Sequence, residues 1–129
     1  MKLVLFLHTL IEGAIGLLFL FYPAAPDLVP GFADGGGSSF TMLMHMYGLA
    51  AIFLAAVSGY LLWRMDSLKE PTGLTLLVFL IFYHLGMAVI QLQENIDPRA
   101  AYLHFLLVIL FGGVFGRLRG WYEESRARP

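Results

Sequence analysis

The 129-residue chain contains no cysteine. Disulfides, thiolate metal sites, CxxC redox pairs and catalytic thiols are excluded with it. Charge is also scarce. Asp, Glu, Lys and Arg together make 13% of the residues, about half the roughly 25% of an ordinary soluble domain. The net charge is −1, and no basic patch with interleaved aromatics is present, so nothing points to nucleic acid as a partner. Alternating ten-residue segments of the kind that build a membrane β-barrel are missing too. So are a phosphate-binding glycine loop and a nucleophile–base arrangement, which leaves kinase and hydrolase chemistry without a foothold.

What the chain has in excess is apolar surface. Hydrophobic residues make 59% of it, and the mean hydropathy is +0.76. A soluble domain of this size cannot hide that much, because small domains keep a large surface for their volume. Disorder is excluded for the opposite reason, since it needs low hydrophobicity and high net charge.

The excess falls into four runs, at about residues 3–22, 40–63, 72–92 and 100–116. Each approaches the roughly 20 residues that cross about 30 Å of hydrocarbon at 1.5 Å per residue. Backbone groups in lipid must be satisfied within their own segment, so each run is expected to be a helix. The expected fold is all-α: a single domain forming a four-transmembrane-helix bundle of up-down topology. The first run is read as a span rather than a secretory leader, because it is longer than a leader's apolar core and Glu12 sits in its middle. Pro23–Ser39 is expected to be an exposed loop, Arg64–Pro71 and Gln93–Arg99 tight turns, and residues 117–129 a polar cytoplasmic tail.

Four spans place the two termini and the second connection on one side. That side holds Lys2, Arg64, Lys69, Arg117, Arg119, Arg126 and Arg128, and the other holds only Arg99. The positive-inside rule then puts both termini in the cytoplasm and the protein in the bacterial inner membrane. Tyr22 and Tyr102 on the outer side, and Trp63, Trp121 and Tyr122 on the inner, fall where interfacial anchors belong. Asp27, Asp34, Glu94 and Asp97 make the outer face acidic. Small residues at four-residue intervals offer close-packing faces: Ala51, Ala55 and Gly59; Gly112 and Gly116; and the nearby Gly13 and Gly16. Some of these faces could serve a second copy of the chain in a homo-oligomer.

Ionisable groups inside a span are costly, and they usually face the bundle interior or a cavity. Five are present: His8, Glu12, His45, His84 and His104, one histidine per span. Counted from the span ends, His45, His84 and His104 fall in the outer half and form an expected cofactor- or metal-binding cluster. His8 and Glu12, one turn apart on the first helix, form an expected proton relay.

Several chemistries fit this pattern. Haem b between facing imidazoles is one, with His45 and His104 at matched depth. Zinc or copper is another, with His45, His84 and His104 as ligands and Met46 adding a soft thioether beside Met42 and Met44. A quinone pocket would draw on His84, Tyr83, Gln91, Tyr47 and Tyr102. These make a redox-associated protein the first reading. An accessory subunit of a larger membrane complex is the second. Proton-coupled transport through Glu12 is the third. The plain alternative is that the imidazoles only hydrogen-bond between helices.

Two family resemblances follow from the residues. A first helix ending in Leu20-Phe21-Tyr22-Pro23, an irregular outer connection, Tyr47-Gly48 early in the second helix and a short basic inner turn resemble small bacterial DoxX-like membrane proteins. That resemblance implies a four-helix fold and a link to quinone-dependent sulfur oxidation, and it carries no catalytic residue to a position here. Leu10-Ile11-Glu12-Gly13 is similar to the first helix of small multidrug resistance transporters. The seven-to-one basic bias departs from their balanced charge.

Overall fold

The computed structural model describes residues 1–21, 38–64, 71–93 and 98–127. They form four helices: α1 (Lys2–Phe21), α2 (Ser38–Trp63), α3 (Pro71–Gln93) and α4 (Pro98–Ala127). All four are long and apolar enough to cross a membrane. Apart from their end residues, the expected loop at 23–39 and the turns at 64–71 and 93–99 lie outside the described residues. So do the acidic positions Asp27, Asp34, Glu94 and Asp97.

Proline begins two of the helices. Pro71 and Pro98 stand at first-turn positions, where the missing N–H is one of the helix's unpaired donors in any case. The last helix departs from expectation, because the stretch beyond residue 116 continues as helix through Ala127. Side chains support that extension at helical spacing. Arg119 Nε donates to Glu123 Oε1 at 2.8 Å, and the Arg117 guanidinium lies 5.3 Å from the centre of the Trp121 ring.

The helices pack in two pairs, α1 along α2 and α3 along α4, and α2 barely touches α3. Between α2 and α3 an apolar groove of about 420 Å³ is left, walled by residues such as Phe53, Val57, Phe79 and Tyr83. Small residues set the α1–α2 contact. Gly59 lies against Thr9, Gly13 against Ala55, and Gly16 against Gly48 and Ile52, so the two helices run in opposite senses. Gly16 and Gly48 bring the backbones together directly. A Cβ on Gly16 would sit 2.8 Å from the Gly48 carbonyl oxygen and 2.7 Å from Ile52 Cγ1. The other expected small-residue face behaves differently. A Cβ on Gly112 or Gly116 would meet nothing within 4 Å, so these glycines are not used inside the bundle.

One narrow stripe of each helix faces inward. On α1 it is Leu5, His8, Glu12, Gly16 and Phe19; on α3 it is Gly73, Leu77, Leu80, His84 and Ala88. The steps of three and four residues are those of a helix with one buried face. The outward faces stay apolar, with Leu3, Phe6, Phe53, Phe79, Phe82 and Ile109 all exposed. Contiguous apolar surface on this scale is a liability in water, and lipid is the solvent that suits it. Leu5, Leu54, Leu61, Leu77, Leu80, Phe111, Val114 and Leu118 fill the interior toward the Met1 end of α1.

Replacing Gly16 by Ala should therefore cost about 1–3 kcal/mol through overpacking against backbone. Gly112→Ala should change stability by less than about 0.5 kcal/mol. Reversible unfolding of the purified protein in mild detergent measures both; equal effects would contradict the assigned packing.

Candidate metal centre

At the level where the leucine-rich interior ends, every helix turns a polar residue inward, and α1 adds Glu12 one turn further on. On α1 it is His8, on α2 Ser58, on α3 His84 and on α4 His104. All four are buried, His84 and Ser58 completely. They form one continuous hydrogen-bonded chain. His8 Nδ1 lies 3.0 Å from Ser58 Oγ. His8 Nε2 lies 2.8 Å from His84 Nε2. His84 Nδ1 lies 2.9 Å from His104 Nδ1.

The direction of this chain follows from counting hydrogens. A serine hydroxyl has one hydrogen, and Ser58 gives it to the Leu54 carbonyl one turn back, at 2.9 Å. Ser58 Oγ must then accept from His8 Nδ1–H. A neutral His8 is left with a bare Nε2, which accepts from His84 Nε2–H. The bare His84 Nδ1 in turn accepts from His104 Nδ1–H. Thr9 supports the serine end: its hydroxyl lies 3.0 Å from Ser58 Oγ and 2.8 Å from the Leu5 carbonyl.

Aromatic packing fixes the rings. His8 and His84 meet edge to face, with centroids 5.0 Å apart and planes at 89°. His84 and His104 stack at 5.1 Å and 27°. Fully buried Phe111 lies 4.9 Å from the His8 centroid and 5.8 Å from that of His84, closing the side toward the leucines.

Glu12 completes the cluster from one turn above His8. Its Oε1 lies 3.7 Å from His8 Nε2, and Glu12 is itself buried. His8, Glu12 and His84 each offer a ligand atom, and these atoms all lie within 4.8 Å of one another. The group can hold a metal ion. Its surroundings also fit, because metal-bound imidazoles usually have their second nitrogen held by a partner. Ser58 holds His8 Nδ1 here, and His104 holds His84 Nδ1. On the far side from the leucines, a small cavity of about 120 Å³ touches His8, Glu12 and His104 and is also lined by Tyr47, Gln91 and Arg99. Apolar side chains, among them Ile11, Ile15, Leu103 and Leu107, complete its wall.

Of the residues expected from the sequence, His84 and His104 meet as foreseen. His8 and Glu12 are members of the same cluster rather than a separate relay. His45 is corrected: it is exposed and takes no part. So is Met46, which is 60% exposed. The reason is rotational. The buried stripe of α2 runs Met44, Gly48, Ala51, Leu54, Ala55, Ser58 and Leu61, and at 3.6 residues per turn His45 points about 100° away from Met44. Depth alone had matched His45 with His104; depth says nothing of azimuth. Ser58 was the residue missed. Its signal was a lone hydroxyl in register with Ala51 and Ala55 on the α2 packing face.

No protein-family profile, curated protein or solved structure matches this chain.

Replacing His84 by Leu strips the partners from two buried ring nitrogens, His8 Nε2 and His104 Nδ1. The expected cost is about 1–3 kcal/mol. His45→Ala should change stability by less than about 0.5 kcal/mol. Thermal unfolding in detergent distinguishes the two, and a His45 effect as large as that of His84 would contradict the chain.

Proposed function

We propose that this is an integral membrane protein of the bacterial inner membrane that holds one transition-metal ion through His8 Nε2, Glu12 and His84 Nε2. The observation that carries this reading is the facing pair of Nε2 atoms with a buried carboxylate beside them, each histidine braced at its other nitrogen. In the metal-free protein the two Nε2 atoms share one proton. Two ligands about 2.0–2.1 Å from a tetrahedral zinc stand about 3.3 Å apart, so the pair must part by about half an ångström to admit a metal, the His84 proton moving to Nδ1 and that of His104 to Nε2 so that all three rings stay neutral. Glu12 then supplies the charge that the imidazoles lack.

The donor set narrows the metal. Two imidazoles and a carboxylate, with no sulfur, suit zinc or non-haem iron more than a thioether copper site. With iron, the redox association expected from the sequence follows; with zinc, the centre is a Lewis acid. Haem and quinone fit less well. The space at the cluster is about 120 Å³, below the roughly 300–1,000 Å³ of organic ligand pockets. The DoxX-like likeness is one of layout and assigns no residue a role.

An up-down bundle with both termini in the cytoplasm is supported by the lysine and arginine bias. Exposed Trp63 at the end of α2 is an interfacial anchor consistent with it. In that orientation the cavity beside the centre faces the outer side of the membrane, and the leucine-rich half faces the cytoplasm.

The full chain, purified in mild detergent and stripped with chelator, should bind one Zn(II) or Co(II) per molecule. His8→Ala and His84→Ala should abolish tight binding. Ser58→Ala and His104→Leu should weaken it by about 10–100-fold, the usual worth of a bracing partner. His45→Ala should leave it unchanged. Metal analysis after desalting measures all of these. A chain that retains no metal, or one that loses it equally with His45→Ala, contradicts the reading and leaves the polar chain as a tie between helices.

A further inference from the structure

In the metal-free protein the imidazole chain leaves acceptors, not donors, beside the small cavity. Neutral His104 gives its one ring hydrogen to His84 through Nδ1, so its Nε2 is bare. Glu12 is a buried carboxyl group and, when ionised, can only accept. Its Oε1 lies 3.7 Å from His8 Nε2, too far for a hydrogen bond, and that nitrogen already accepts from His84 Nε2. The amide oxygen of Gln91 is buried and meets no donor among the described residues. A buried acceptor left so is costly and calls for an explanation. His104, Glu12 and Gln91 all line one cavity of about 120 Å³.

We propose that in the metal-free protein this cavity binds a small primary alkylammonium ion, its charged head shared by Glu12, His104 Nε2 and the Gln91 oxygen. The inference rests on the hydrogen count of the chain and not on the metal reading. Four features fix the ligand class. The first is hydrogen-bond sense. A primary ammonium carries three donors and no acceptor, one for each of the three groups. The second is charge. A carboxylate held inside a span is costly unless an opposite charge stands beside it. Arg99 also borders the cavity, and it already has a partner. The third is the wall, where Ile11, Ile15, Leu103 and Leu107 suit a short carbon chain. The fourth is size. About 120 Å³ equals about four waters at roughly 30 Å³ each, room for a nitrogen and one to three carbons.

A metal would close this site. Bound at His8 and His84, it would take Glu12 as a ligand and leave the His104 hydrogen on Nε2, turning one acceptor into a donor. Metal and amine are therefore alternative occupants of the same polar end.

The test uses the full chain in mild detergent, stripped with chelator. Methylammonium, propylammonium and tetramethylammonium chlorides are titrated by calorimetry at one pH and ionic strength. The first two should saturate a single site. Tetramethylammonium, which has no N–H, should bind about tenfold more weakly or worse. Gln91→Leu should weaken methylammonium about tenfold, the worth of one hydrogen bond in a dry site, and Glu12→Gln should weaken it further. Gln91→Leu leaves the imidazole chain intact, so it decides the matter even if Glu12→Gln does not fold. No saturable heat, equal binding of tetramethylammonium, or native affinity in Gln91→Leu each overturns the proposal and leaves the cavity to water. Metal analysis of the same preparation, reloaded with Zn(II), tests the metal reading separately. A chain that binds methylammonium but retains no zinc sustains this inference and overturns that one, and a zinc-loaded chain that binds methylammonium undiminished overturns their exclusion.

Discussion

The structure depends on one hydrogen-bonded chain, Ser58–His8–His84–His104, which takes one member from each helix. The backbones approach closely only within the pairs α1–α2 and α3–α4, and α2 barely reaches α3; between the pairs, apolar side chains meet in the one leucine-rich core. In lipid there is little hydrophobic force to press two such pairs together, since acyl chains are as apolar as leucine. Polar bonds between helices supply direction instead of bulk attraction. The His8–His84 bond at 2.8 Å is where the first pair meets the second. Phe111 and the leucines below it exclude water from that bond, which makes it stronger if satisfied and costly if broken.

The same bond makes the site. A hydrogen shared by two inward-facing Nε2 atoms occupies the place where a metal would be held, and Glu12 stands close enough to compensate its charge. On the proposed reading, a structural tie and a metal centre are two occupancies of one geometry. Braced nitrogens on either side would keep the rings oriented in both, so admitting a metal would ask for a small separation of α1 from α3 and a shift of the His84 and His104 protons to their other ring nitrogens. The small cavity that touches Glu12 and His104 lies beside the cluster.

Much of this was legible in the sequence. Run length and composition gave four helices, and the costly residues inside them gave the cluster's membership in all but two cases. His45 misled because its depth matched that of His104, while its direction was set by the packing stripe of α2. That stripe could be read from Ala51 and Ala55, and applying it to His45 would have turned the residue outward and brought Ser58 in. His8 misled in the opposite way. His8 stands only six residues after the start of α1, yet α1 is set against α3 so that it meets His84, thirteen residues after the start of α3. Relative slide between helices is a property of packing, and no single span records it. The helical extension beyond residue 116 was hidden because the apolar signal ends there, although Arg119 and Glu123 at i,i+4 spacing marked its continuation.

The central claim is that one proton joins His8 Nε2 to His84 Nε2 and that a metal ion can take its place there. Nitrogen NMR of the chain labelled at its histidine side chains tests it most directly, through the scalar coupling that passes across an N–H···N hydrogen bond. Couplings should appear between His8 Nε2 and His84 Nε2 and between His84 Nδ1 and His104 Nδ1 in the metal-free protein. Added Zn(II) should erase the first and preserve the second. A His8–His84 coupling that is absent without metal, or that persists when zinc is bound, would contradict the account.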